Sequence, residues 1–306
     1  MKNIYTDLAL ETAEQFENEE IEGVSLVLEE IDEIKITSVK IENEKGEKAM
    51  QKPIGDYITI ESPEFAEHII ETHEKAAEIL AKKLSELIEP FGDKSDTLVI
   101  GLGNRFVTPD ALGPKTISKL LITRHIMEIL PKELEGKASK VSGISPGVLG
   151  LTGIETLEIV RGITQNTKPS LIIAIDALAA RNISRINTTI QLSNTGITPG
   201  AGVGSKRAGI NQKELGIPVI AIGVPTVVSA PTMVADAMAL FFKEIGETVD
   251  TSEIIKDTIS PALGAMFVSP KEISYIINFH SNIIANAINM ALHKGITRED
   301  INRFMY

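Results

Sequence analysis

The chain has 306 residues, a net charge of −12 at pH 7 and no cysteine. Without cysteine it has no disulfide, no thiolate nucleophile and no cysteine-based zinc site, and its acidic balance leaves no surplus of cations for nucleic-acid phosphates. No segment combines the length and apolar content of a membrane span, and residues 1–7 lack the pattern of a signal peptide. We therefore expect a cytoplasmic protein that binds neither nucleic acid nor membrane directly.

The first elements along the chain are predicted to be β structure followed by a helix. Residues 24–61 hold β-branched side chains among charged ones, with turns at Lys45-Gly46 and at 53–55, a pattern typical of strands. Residues 63–89 carry apolar side chains at helical spacing behind Pro63, which predicts a helix.

Strands and helices then alternate. Apolar runs predict strands at 97–101, 141–144, 171–175 and 218–224, and periodic segments predict helices at 113–130, 154–166 and 270–293. Such alternation favours an α/β fold with a doubly wound sheet, mixed or parallel, and helices on both faces. We expect one domain over residues 8–306, with the β-rich region 24–61 in its N-terminal part.

Two acids are placed where apolar strands end. Asp110 follows the strand-and-turn motif Val99-Ile100-Gly101-Leu102-Gly103, and Asp176 comes directly after the apolar run 171–175. Because strand ends in an open α/β sheet converge on one crevice, we expect the two carboxylates to meet there. Such a pair can share one proton and act as general acid and general base in hydrolysis. The alternative for each acid taken alone is a cap on the helix that follows it.

The remaining motifs give weaker indications. The loop 193–212 is rich in glycine and contains Lys206 and Arg207, but its spacing does not match a phosphate-binding loop, so no cofactor is expected. The five histidines lack metal-binding spacing. His125 follows Asp110 on the predicted helix 113–130 and could turn toward the crevice, although a surface or core position is the simpler interpretation.

Together these motifs resemble the germination proteases, also called spore proteases, of endospore-forming bacteria. The matching runs span most of residues 6–230 in order: Thr6-Asp7-Leu8-Ala9, Lys52 to Glu61, Gly101 to Asn104, Thr108 to Pro114, Thr123-Arg124-His125, Ser145 to Val148, Thr152 to Thr156, Ala174 to Ala179, Asn187 to Gln191 and Ile222 to Val228.

The resemblance implies an endopeptidase that degrades small acid-soluble spore proteins during germination, in the cytoplasm of the forespore and spore core. The family works as a homotetramer and is placed among unusual aspartic endopeptidases. Its two proposed catalytic aspartates match Asp110 and Asp176. The implied fold is similar to that of hydrogenase-maturation endopeptidases, a doubly wound α/β sheet.

Two alternatives stay open at this point. In the hydrogenase-maturation relatives the equivalent acids hold a metal, so one alternative is a metal-dependent peptidase with Asp110, Asp176 and His125 as ligands. The other alternative, from a different class, is a non-catalytic binding protein that has kept the fold.

The resemblance also implies a zymogen that removes its own N-terminus. Substrate sites in the family pair an acid with an apolar residue and alanine, and Asp7-Leu8-Ala9 has this pattern. We expect cleavage between Asp7 and Leu8, which makes residues 1–7 the pro-segment.

Overall fold

Strands from both halves of the chain join in one mixed sheet. The computed structural model describes residues 6–16, 21–65, 69–92, 96–129, 136–200, 207–246 and 266–296. Within them, nine strands form the order β1-β2-β3-β7-β8-β6-β4-β5, with β9 paired to β8. The strands are β1 (Val24–Ile31), β2 (Ile34–Ile41), β3 (Gly55–Glu61), β4 (Asp96–Gly101), β5 (Lys140–Ile144), β6 (Leu171–Ala180), β7 (Thr189–Ser193), β8 (Val219–Ser229) and β9 (Phe267–Val268).

The sheet has a parallel half and an antiparallel half. Strands β5, β4, β6 and β8 are parallel neighbours, whereas β1, β2, β3 and β7 pair antiparallel. The two halves meet where β7 pairs antiparallel with β8. The predicted α/β class is therefore confirmed, with a mixed sheet.

Helices lie on both faces of this sheet. They are α1 (Ala9–Ala13), α2 (Glu44–Met50), α3 (Ile70–Ile88), α4 (Leu112–Ile117), α5 (Arg124–Ile129), α6 (Leu149–Thr152), α7 (Thr156–Thr167), α8 (Gln212–Leu215), α9 (Ala230–Glu244) and α10 (Ile273–Leu292). Among the described residues, no helix is both long and apolar enough to cross a membrane.

Apolar side chains on β6 fill the core on both of its faces. Ile173 and Ile175 belong to the cluster that includes α3 and α10, whereas Ile172 and Ala174 pack on the opposite face with Val160 of α7. A parallel strand covered on both faces is apolar throughout. A carboxylate inside such a strand is therefore an exception to its apolar pattern.

The predicted helix 113–130 is wrong, because the structure has two short helices there. Between α4 and α5, the Leu121 N–H donates to Asn289 Oδ1 (3.0 Å) and the Thr123 N–H donates to the Val141 carbonyl (3.1 Å). These bonds to distant residues replace the backbone bonds that would continue a helix.

Other predicted elements differ from those of the structure in their length or in their type. The turn predicted at Lys45-Gly46 lies inside α2, where the Asn43 side chain accepts from the N–H groups of Lys45 and Gly46 and so caps a helix. The predicted strand 171–175 continues to Ala180, and the strand predicted at 218–224 continues to Ser229. Asp176 therefore lies inside β6 rather than after it.

The end of β4 is held tightly against α4 by two glycines. A Cβ atom on Gly101 would overlap the carbonyl oxygen of Gly113, and a Cβ atom on Gly113 would overlap the backbone of Leu102. This close approach brings the segment after β4 back over the sheet. It thereby determines where Asp110 lies.

The substitution Gly101→Ala should lower the free energy of unfolding by about 1–3 kcal/mol, because an added methyl group there meets backbone rather than a flexible side chain. The matched control is Gly162→Ala on the exposed surface of α7, where no atom lies near the added Cβ. The control should be neutral or stabilising by up to about 1 kcal/mol. Chemical denaturation measures both values, and equal effects would contradict the tight contact.

Candidate active site

The most unusual side chain of the sheet is Asp176, in the interior of β6. Its exposed fraction is 6%, and its Oδ1 atom accepts a hydrogen bond from the Ala177 N–H (2.9 Å). In the sheet register Asp176 lies opposite Gly223 of β8, which in turn lies opposite Gln191 of β7. Directly opposite residues share a face, so Asp176 and Gln191 face the same side.

Asp110 reaches the same region from the loop after β4. It closes a 3₁₀ turn over Thr108–Asp110 that contacts both β6 and β8, and its Oδ2 atom accepts from the Asn104 N–H (2.7 Å). Gly103 has φ +103°, and a Cβ there would overlap the Asp110 backbone oxygen. Only glycine fits this turn, which holds Asp110 half-buried.

A third carboxylate, that of Asp7, joins this region from the N-terminal segment. The Asp7 N–H donates to the Ala179 carbonyl (3.0 Å), and the Ala179 N–H donates to Asp7 Oδ2 (2.8 Å). Next along the chain, the Leu8 side chain is fully buried in a cluster with Leu178 and Ala180. The Asp7–Leu8 peptide bond is thus held against the β6 segment that follows Asp176.

The three carboxylates are close enough for their charges to interact. Burial raises the pKa of Asp176 well above its ordinary value, and the negative charges of Asp110 and Asp7 raise it further. Burial also raises the pKa of Asp110, whereas the Asn104 N–H favours its ionised form. The positive charge of Arg207 lowers the pKa of both groups. Crowded carboxyl groups of this kind retain a shared proton.

Comparison with known proteins identifies the family. The family model described as germination protease matches residues 2–262. Germination proteases from Caldanaerobacter subterraneus subsp. tengcongensis and from Clostridium perfringens are each 46% identical to this chain, over 99% and 100% of it and 98% and 100% of their own lengths. The chain belongs to the germination protease family.

Two further matches are more distant. The germination protease of a Geobacillus species is 37% identical over the whole chain and 98% of its own length. Among solved structures, the [NiFe] hydrogenase maturation protease HycI from Thermococcus kodakarensis covers 67% of this chain and 98% of its own, at 18% identity and a TM-score of 0.36. That structural likeness is too small to support a functional conclusion. Because it belongs to this family, the chain is a protease, an enzyme that hydrolyses peptide bonds.

The structure does not support the capping alternative for either aspartate of this germination protease. Residues 178–180 belong to β6, so no helix begins there for Asp176 to cap. The residue before α4 is Ala111, without a side-chain cap, and the Asp110 carboxylate accepts from Asn104 instead. Both carboxylates are therefore directed to the site rather than to a helix end.

The metal-ligand set considered from the sequence does not come together. His125 is exposed on α5 beside Arg124, which pairs with Asp96 (3.9 Å), the first residue of β4. Asp110 follows the opposite end of that strand. Within the described ranges, no group of three or more His, Asp or Glu side chains is placed to bind a metal ion. The residues present therefore do not fit a metal centre built on Asp110, Asp176 and His125.

Sequence reasoning missed three polar residues of this germination protease site. From the sequence, Arg207 is only a member of the glycine-rich loop. Residues 201–206 of that loop lie outside the described residues. Lys52 and Gln191 occur in runs that match the family but had received no role. Both donate to the Asp7 carbonyl oxygen, at 3.0 and 3.2 Å. The shared motifs were the only available signal, because these residues lie far apart along the chain.

The substitution Asp176→Asn should raise the melting temperature near neutral pH. The pKa of Asp176 is higher in the folded than in the unfolded chain, so its ionisation favours unfolding as pH rises through the folded pKa. Asparagine cannot ionise and avoids this cost. Below about pH 4 aspartate is neutral in both states, and the difference should disappear.

Thermal unfolding of both proteins at about pH 3 and at about pH 7.5, below and above the ordinary pKa of aspartate, provides the measurement. The matched control is Asp32→Asn, an exposed residue paired with Lys75, which should change the melting temperature little at either pH. A variant Asp176→Asn that is destabilised at neutral pH would contradict the burial of an acid at this position.

Proposed function

We propose that this germination protease is a self-processing endopeptidase that degrades small acid-soluble spore proteins, with Asp110 and Asp176 as its acid–base pair. The observation that carries the proposal is the burial of Asp176 in the sheet beside Asp110. Burial, and then the charge of Asp110, raise the pKa of Asp176 well above its ordinary value. When two titratable groups lie in different environments, their pKa values differ, and one can act as the acid while the other acts as the base.

The two roles follow from the two environments. Asp176 is buried and faces two negative charges, which supports its role as the group that holds the shared proton. Asp110 is half-buried and accepts a backbone N–H, which supports its role as the ionised base. The charge of Arg207 lowers the pKa of both groups, which favours ionisation of one member of the pair.

The pair can supply both proton transfers that hydrolysis of a peptide bond requires. Asp110 takes one proton from a water molecule as the water oxygen bonds to the carbonyl carbon, which leaves a tetrahedral oxyanion. Asp176 gives its proton to the departing nitrogen, and the C–N bond breaks. A carboxylic acid and an amine are released, and the pair ends with one proton, now on Asp110. Exchange with solvent restores the starting state.

Self-processing is proposed at the bond between Asp7 and Leu8. The support is positional, because Asp7 contacts β6 three residues beyond Asp176 and its charge acts on that side chain. Leu8 occupies an apolar pocket with Leu178 and Ala180. In this arrangement the N-terminal segment occupies the site that a protein substrate would use, which accounts for a zymogen.

The proposal places the enzyme in the forespore and spore core as a homotetramer. Exposed apolar side chains support an interface between copies, because large exposed apolar patches often mark such contacts. Leu26 and Leu28 are exposed on the edge strand β1, and Leu240 and Phe241 are exposed on α9.

The variants Asp110→Asn and Asp176→Asn should each lose at least about 10²-fold in the rate of cleavage of a small acid-soluble spore protein. Each should also keep residues 1–7 attached, because self-processing uses the same pair. Mass spectrometry of the fragments and of the N-terminus provides the measurement, with circular dichroism to show that each variant is folded.

The matched control is Asp32→Asn, which should cleave at the wild-type rate. A parallel incubation with a strong chelator should leave the wild-type rate unchanged. Full proteolysis by either site variant would overturn the assignment, and loss of activity in chelator would favour a metal-assisted reaction instead.

The substitution Arg207→Gln should move the pH–activity profile to higher pH. Arg207 lowers the pKa of both aspartates, so its removal raises the pKa of both. The base then ionises only at higher pH, and the acid keeps its proton to higher pH, which shifts both limbs in the same direction. The control is Arg161→Gln, an exposed arginine paired with Glu214 (3.2 Å), which should leave the profile in place. A shift to lower pH would contradict the assignment.

A further inference from the structure

We propose that Lys52 and Gln191 hold the carbonyl oxygen of the bond that is cut and stabilise the negative charge that develops on it. This inference rests on the proposed self-processing at Asp7–Leu8, since the carbonyl in question is that of Asp7. It assigns a catalytic role to two residues that lie on the antiparallel side of the sheet, away from both aspartates in the sequence.

Lys52 approaches this carbonyl from the loop between α2 and β3. Its Nζ atom donates to the Asp7 carbonyl oxygen at 3.0 Å and contacts the Thr6 carbonyl oxygen at 3.4 Å. The next turn is fixed by the Tyr57 hydroxyl, which donates to the Pro53 carbonyl (2.8 Å). Burial lowers the pKa of Lys52, whereas the charges of Asp7 and Glu11 raise it. A half-buried amine is thus directed at one peptide oxygen.

Gln191 approaches the same oxygen from β7. Its Nε2 atom donates to the Asp7 carbonyl (3.2 Å), and its Oε1 atom accepts from the Ala9 N–H (2.7 Å). The side-chain amide therefore spans Leu8 and contacts the backbone on both sides of it. Because Gln191 is 8% exposed, water cannot easily replace either bond.

The register of the sheet places Gln191 on the same face as Asp176, two strands away. Gln191, Gly223 and Asp176 lie opposite one another on three adjacent strands, so Gln191 and Asp176 are separated by about 10 Å at their backbones. Gly223 has no side chain, and it lines a cavity of about 210 Å³ together with Asp7, Lys52 and Gln191. Asp7 thus borders the cavity together with both donors, and its charge acts on Asp176.

Anchoring of the N-terminal segment does not depend on these two donors. The segment is already held by the paired bonds between Asp7 and Ala179. In addition, the Glu11 carboxylate accepts from the N–H groups of Arg181 (2.8 Å) and Asn182 (2.7 Å). Two further donors on one carbonyl oxygen are what stabilisation of an oxyanion requires. They act when the water oxygen has added to the Asp7 carbon and before the C–N bond breaks.

The test uses the full chain and measures the first-order rate at which the N-terminus changes from Met1 to Leu8, by intact mass. Lys52→Met removes the amine donor, and Gln191→Glu keeps the acceptor for Ala9 but, when ionised, cannot donate to Asp7. Each should slow the cleavage by about 10²-fold or more. Lys52→Arg, which retains a cationic donor, should recover part of the rate.

Matched controls are Lys48→Met and Gln165→Glu, both at exposed helix positions, which should cleave at the wild-type rate. Hydrogen exchange of residues 6–16, measured in an Asp176→Asn background to prevent cleavage, should show the segment still protected with Lys52→Met and Gln191→Glu. A segment that is released instead would mean that the two residues only anchor it, and the inference would be wrong.

The outcomes separate this inference from the proposed function. If wild type is cut before Leu8, Asp176→Asn is not, and both donor variants are cut at the wild-type rate, the inference fails while the acid pair stands. If wild type is not cut there, or Asp176→Asn is cut normally, self-processing at this bond by the acid pair fails, and the inference fails with it.

Discussion

This site depends on the burial of one carboxyl group, that of Asp176, beside two other carboxyl groups. Asp176 lies inside β6, in a strand whose other side chains are nearly all apolar. An ionised carboxylate there has lost its water and faces the charges of Asp110 and Asp7, and both effects favour the protonated form. Arg207 offsets them only in part. The fold therefore maintains an acid at a pH where an exposed aspartate is a base, at a cost in stability that functional sites commonly carry.

The two halves of the mixed sheet contribute different parts of the site. The parallel half supplies the acids, Asp176 from within β6 and Asp110 from the tight turn after β4. The antiparallel half supplies the hydrogen-bond donors, Gln191 from β7 and Lys52 from the loop before β3. The two halves meet at β8, where Gly223 lies between Gln191 and Asp176 in the sheet register and the Leu178 side chain packs over it. The N-terminal segment lies across this junction and contacts both halves.

The sequence was sufficient to predict the α/β class and to expect Asp110 and Asp176 near each other, because each acid follows an apolar run and Asp110 also follows a glycine-marked turn. It was insufficient where distant residues decide the local structure. Bonds from the N–H groups of Leu121 and Thr123 to Asn289 and Val141 interrupt a helix that periodicity alone favours. Asp176 was expected after its strand, but the apolar run continues through it, so the residue is buried more deeply than a strand end would be. Contacts such as that of Gln191 with Asp7 depend on sheet register, which the local pattern does not reveal.

The most direct test of this account is the protonation state of Asp176 itself. Carbon-13 NMR of the side-chain carboxyl groups, in chain labelled at aspartate and assigned through Asp176→Asn, follows its titration in the folded protein. The account predicts that Asp176 still holds its proton when exposed aspartates are ionised, and that Asp110→Asn moves its titration to lower pH by removing a facing charge. Titration of Asp176 near pH 4, about the ordinary value for aspartate, with no response to Asp110→Asn would contradict it.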